Sequence, residues 1–155
     1  MSKPAARKPT VITSGYETSI VRTAIAALLV VLGIVWMIVY INVAKDAATA
    51  LPGVKKPDNP LPWMADLELW NYAIGFGLIF VGLAVSAHKL TPLGRGRGVV
   101  IGMLGCFLIG LIWIVTFYFS GQDGPIPVMK DLDQYNLLVG IGFMAVGFTF
   151  ATKWE

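Results

Sequence analysis

Few side chains in this sequence could do chemistry. The chain has one histidine, His88, and one cysteine, Cys106. A single imidazole cannot supply a bis-histidine haem. A single thiol supplies neither a disulfide nor a Cys-based metal site. His88 closes an apolar run, where an imidazole snorkels to the interface; Cys106 stands inside one, as a small packing residue. No Asp, Glu, Lys or Arg interrupts the middle of any apolar run. Intramembrane catalysis and ion-coupled transport need ionisable groups at that depth, so neither enzymatic activity nor a cofactor or metal is expected. Asn71 and Asn136 are the polar exceptions, each one turn into its apolar run. An amide there serves either a local hydrogen bond or as glue to a neighbouring helix.

Association through close contact is the chemistry the glycines suit. Gly75-x-Gly77-x4-Gly82 and Gly140-x-Gly142-x4-Gly147 carry the same spacing, and Gly102, Gly105 and Gly110 follow Gly98 in a third run. Helices associate in lipid by close packing at small residues, because lipid gives no hydrophobic drive. These faces either pack within the chain or leave one side open to another membrane protein. They are not nucleotide loops, since they lie inside apolar runs and not between a strand and a helix. The basic residues are too few and too interspersed with glycine to point to nucleic acid.

The glycine pattern belongs to a longer repeat. At a constant offset of 65, Pro60, Pro62, Met64, Asp66, Leu67, Asn71, Gly75, Gly77, Val81 and Gly82 recur as Pro125, Pro127, Met129, Asp131, Leu132, Asn136, Gly140, Gly142, Val146 and Gly147. Upstream, Gly33-Ile-Val-Trp36 matches Gly110-Leu-Ile-Trp113 at an offset of 77, which places a 12-residue insertion between Trp36 and Pro60 of the first copy. Each unit reads as apolar helix, polar loop, Pro-x-Pro, acidic turn and glycine-rich apolar helix.

The elements that carry these residues are membrane spans. Charged residues make up 14% of the chain and hydrophobic ones 56%, with a mean hydropathy of +0.71; a soluble domain carries about 25% charged residues. Runs over 20–43, 67–87, 99–119 and 135–152 predict four transmembrane helices in an all-α membrane protein built from two repeated hairpins. No cleavable signal is expected, because the first run is long enough to span and follows a polar stretch. Residues 1–19 form a polar tail, 20–90 the first hairpin, 91–98 a basic Gly-rich turn and 99–155 the second hairpin. Asp66 is placed to cap the second span, with Glu68 in its first turn. Residues 44–51 either extend the first helix or lie along the surface.

Charge orients the chain. Lys3, Arg7, Lys8, Arg22, Lys89, Arg95, Arg97 and Lys153 share one side with Glu17 and Glu155, whereas the other two loops hold four lysines against seven acidic residues. Lys and Arg concentrate on the cytoplasmic side, so both termini are expected there, in a multi-pass protein of the plasma membrane. The Gly94-Arg-Gly-Arg-Gly98 turn would also attract anionic headgroups of the bilayer.

The stretch Trp63-Met-Ala-Asp66, followed by Leu67-x-x-Trp70-Asn71-Tyr72-Ala-Ile-Gly-Phe-Gly77, resembles the CrgA family of actinobacterial cell-division membrane proteins. The Trp36 helix, the polar basic N-terminus and the Lys153-Trp154 ending are also similar to that family. In the second half Trp113, Asp131 and Asn136 keep the pattern, while Tyr135 replaces the tryptophan and Leu137 the tyrosine. The resemblance implies a tandem duplication of a two-span unit with cytoplasmic ends. It also implies a non-enzymatic adaptor at the division septum, contacting FtsZ, divisome membrane proteins and peptidoglycan synthases. The same glycine faces would suit an accessory subunit of another assembly, such as a respiratory cytochrome bcc-oxidase supercomplex.

Overall fold

The computed structural model describes residues 18–55, 57–120 and 124–153. Lys3, Arg7, Lys8 and Trp154 lie outside the described residues. Helix α1, Ile20–Val39, starts at Ser19, whose side chain accepts from Arg22 N–H at 3.3 Å. It does not stop at the polar residues that follow. A π-helical turn, Tyr40–Ala44, leads into α2, Lys45–Ala48, giving a 29-residue apolar helix from Ile20 to Ala48. The extra residue of a π turn rotates the helical face. Here Tyr40, Ala44 and Ala47 are buried together and Lys45 is half-buried.

The prolines that rule out a continuous helix in the following loop start a short one instead. Helix α3, Pro62–Asp66, has proline in its first turn, where the missing N–H costs nothing. Helix α4, Trp70–Ser86, follows after a break at Glu68, whose φ is +43°. Asp66 is therefore not the cap of this span: it ends α3, and the residue before α4 is Leu69, which makes no side-chain cap bond. The backbone reversal at Glu68 moves the helix start past the acidic pair. After a turn comes α5, Arg97–Ser120, and then α6, Pro127–Leu132. A 3-10 turn, Asp133–Tyr135, leads to α7, Asn136–Ala151. Asp133 has the same φ of +43° as Glu68, 65 positions earlier in the repeat alignment.

The described residues are helical and contain no strand. Ile20–Ala48, Arg97–Ser120 and Pro127–Ala151 are long and apolar enough to cross a membrane, and Trp70–Ser86 is a shorter apolar helix of 17 residues. Helix α1 packs antiparallel on α4, and α5 antiparallel on α7; the two pairs meet along α4 and α7, which run parallel. Aromatic rings fill that seam: Phe80 meets Phe143 edge-on at 5.1 Å, and Phe76 meets Trp113 edge-on at 5.5 Å. Outward faces stay apolar, with Val31, Leu32, Val35 and Ile38 exposed on α1 and Leu104, Leu108, Leu111 and Ile112 on α5. Lipid is the solvent such a surface needs.

Candidate functional site

Most of the spaced glycines lie where the helices touch. A Cβ on Gly33 would sit 2.4 Å from the Gly75 carbonyl oxygen, and one on Gly75 would meet Met37. In the other pair a Cβ on Gly110 would sit 2.6 Å from the Gly140 carbonyl oxygen, and one on Gly140 would meet Ile114. Gly82 lies against the Ala26 carbonyl, Gly102 against the Phe150 ring and Gly147 against Phe107. Gly142 faces α4 and receives the ring of Phe80. Gly77 and Gly105 have nothing within 4 Å of an added Cβ. Gly77 opens into an apolar groove of about 490 Å³ along the seam, with Trp70, Ala73 and Leu138 among its walls.

At the end of the bundle near Ala48, the two asparagines do matching local work. Asn71 Nδ2 donates to the carbonyls of Met64 at 2.8 Å and Glu68 at 2.9 Å. Asn136 Nδ2 donates to those of Met129 and Asp133, each at 2.7 Å. Both side chains are fully buried. Each amide ties the short helix before the break to the long one after it, bonding the Met64 or Met129 carbonyl of the short helix and sharing the Glu68 or Asp133 carbonyl with its own backbone N–H. Replacing either by alanine removes two hydrogen bonds of a fully buried amide and is expected to cost about 1–3 kcal/mol. Asn42, whose amide bonds Ile38 on the exposed surface, is the control: N42A should stay within about 0.5 kcal/mol of the parent. Thermal unfolding in detergent, followed by circular dichroism, measures all three.

Beside the asparagines lies a polar junction that joins the two helix pairs. Tyr72 is fully buried on α4 and its hydroxyl donates to Asp131 on α6. Lys45 reaches the same carboxylate oxygen at 2.8 Å. Tyr40 stacks edge-on against Tyr72 at 5.2 Å. Tyr72 and Asp131 stand in the sequence motif; Tyr40 and Lys45 do not. Asp66, the repeat partner of Asp131, is exposed, and Leu137 stands where the second copy would carry a tyrosine. Trp36 packs on Trp63 at 5.6 Å, while Trp70 is largely exposed.

The opposite end is basic. Arg22, Lys89, Arg97 and Lys153 are exposed and Arg95 is half-buried. Arg22 Nη1 lies 2.6 and 3.0 Å from the two ring nitrogens of His88, and Leu90 N–H donates to His88 Nδ1 at 3.2 Å. The Leu90 N–H needs the single lone pair of a neutral imidazole at Nδ1, which places the ring proton on Nε2. Desolvation at the end of α4, then the charges of Arg22, Lys89 and Lys153, hold its pKa below the ordinary histidine value. An unfolded ring takes its proton near pH 6.5, before the folded one does. Stability is therefore full above that point and falls as pH drops through the depressed value. The thermal midpoint should fall on acidification from about pH 7 to about pH 5, and H88Q should flatten that dependence. NMR titration of the single imidazole gives the folded pKa directly.

The turn that carries this end needs its glycines. A Cβ on Gly94 would fall 2.1 Å from the His88 carbonyl oxygen, one on Gly98 would fall 2.2 Å from that of Pro92, and Gly96 has a φ of +51°.

Residues 1–88 and residues 92–155 match the family model described as cell division protein CrgA. The chain belongs to the CrgA family. It is 51% identical over 53 residues to the cell division protein CrgA of Streptomyces avermitilis, a match covering 34% of this chain and 60% of that relative. Against the cell division protein CrgA of Corynebacterium aurimucosum it is 32% identical over 75 residues, covering 45% of this chain and 80% of the relative. Against that of Mycobacterium sp. (strain KMS) the identity is 34% over 83 residues, 54% of this chain and 80% of the relative. No solved structure matches the chain. Trp63, Asp66, Trp70, Asn71 and Tyr72 sit at one end of the helix pair α1–α4, with Tyr72 turned inward to the junction and Trp70 outward.

Proposed function

We propose that this chain is a non-catalytic membrane scaffold of the division septum, made of two CrgA units in tandem. The observation that carries the reading is the family match to two successive segments, 1–88 and 92–155. Support comes also from the helix pairing, in which Gly33 meets Gly75 as Gly110 meets Gly140, and from the paired asparagine bonds. In this reading the four apolar helices all cross the bilayer, as hairpins 20–90 and 99–155 joined by the turn at 91–98. Both termini face the cytoplasm, where the basic tail with Lys3, Arg7 and Lys8 binds a soluble division component. Most motif glycines are taken up inside the chain, so partner helices of the divisome pack where Gly77 and Gly105 leave the surface open. A fluorescent fusion should concentrate at septa, and depletion should alter septum placement or frequency. Uniform distribution in the membrane together with unchanged septation would refute the assignment.

A further inference from the structure

We propose that the shallow groove between the start of α1 and the end of α4 seats one anionic phospholipid, its phosphate on Arg22 and His88 and its acyl chain along Val81, Ala84 and Val85. These five residues line the groove together. Its upper edge is polar and its wall apolar, with Val81 54% exposed, which is the order of a headgroup followed by a chain. Charge selects the occupant. Among the described residues, 18–22, 86–98 and 151–153 carry Arg22, Lys89, Arg95, Arg97 and Lys153 and no Asp or Glu, while Glu17 and Glu155 lie outside the described residues. Arg22 faces the His88 ring at 2.6 Å in place of a carboxylate. A guanidinium has five N–H donors in a fixed fork, so contact with one imidazole leaves donors to turn to a phosphate. A zwitterionic headgroup brings its own cation into this field; an anionic one does not. An anion here also offsets the repulsion that Arg22, Lys89 and Lys153 exert on a protonated His88.

The test uses the full chain in mixed micelles of phosphatidylglycerol and phosphatidylcholine in equal amounts, with bound lipid read by native mass spectrometry. The parent should retain phosphatidylglycerol selectively. R22Q should bind it about fivefold more weakly, the effect of one basic residue near a charged surface. R22K should retain most of the binding. K130Q, at the other end of the bundle, should match the parent. V81W fills the lipid-facing wall without touching a charge and should also lose the lipid, so the test survives if R22Q fails to fold. Equal retention of the two lipids, parental retention in V81W, or displacement of the lipid by inorganic phosphate at the same concentration would each overturn the proposal, the last by marking a site for free phosphate.

Discussion

Gly33→Ala and Gly110→Ala should each destabilise the folded chain by about 1–3 kcal/mol, the cost of overpacking a close contact. A single methyl suffices because of what it would meet. The added Cβ at Gly33 lies 2.4 Å from the Gly75 carbonyl oxygen and 2.8 Å from Ile79 Cγ1; at Gly110 it lies 2.6 Å from the Gly140 carbonyl oxygen. A side chain can rotate away from a clash, but a helical carbonyl cannot. Relief therefore requires α1 to move off α4, or α5 off α7, and close packing along those seams is what membrane helices rely on. Gly142→Ala should be milder, since the group it meets is the Phe80 ring at 2.6 Å. Gly77→Ala and Gly105→Ala meet nothing within 4 Å and should gain up to about 1 kcal/mol from better helix propensity. Reversible unfolding in mixed micelles, read by circular dichroism, separates the three classes. Equal losses at Gly33 and Gly77 would contradict the packing described.

Asp131→Ala should cost about 1–3 kcal/mol and loosen the two helix pairs from each other. The magnitude follows from the Tyr72 hydroxyl, which is fully buried and loses its acceptor; an orphaned buried donor carries its whole desolvation penalty. The Lys45 ammonium contributes less, because both members of that pair are 21% exposed and the freed charge rehydrates. Tyr72→Phe removes donor and demand together, so it should cost about 1 kcal/mol or less. In a double-mutant cycle the pair should show a coupling of about 0.5–3 kcal/mol. Strict additivity would mean that the bond does not hold the pairs together.

The parts of this fold legible in the sequence are those that act within one repeat. Apolar runs gave the apolar helices, and the matched asparagines pointed to a local bond or interhelical glue, of which the local bond is found; of the spaced glycines, Gly75, Gly82, Gly110 and Gly140 meet a neighbouring helix whereas Gly77 and Gly105 meet nothing. The helix breaks were not legible, because Glu68 rarely takes a positive φ, an aspartate such as Asp133 does so too seldom to mark a break, and glycine would be the ordinary choice there. Asp66 looks like a cap by type and place, yet the reversal at Glu68 carries the helix start to Trp70. The junction escaped for another reason. Tyr72 and Asp131 are 59 residues apart, and Lys45 reads as a loop charge until the π turn buries its neighbours. A signal did exist in the offset of 65, which sets Leu137 against Tyr72 and so marks the hydroxyl as particular to the first half of the chain.

The partners of this chain test the proposed role as a membrane scaffold of division most directly. The measurement is a mild-detergent pull-down from native membranes through a C-terminal tag, with mass spectrometry of the retained proteins. Recovery of division membrane proteins and septal synthases is the expected result. Recovery of cytochromes and oxidase subunits without division proteins would contradict it, and would make the chain a structural subunit of a respiratory assembly.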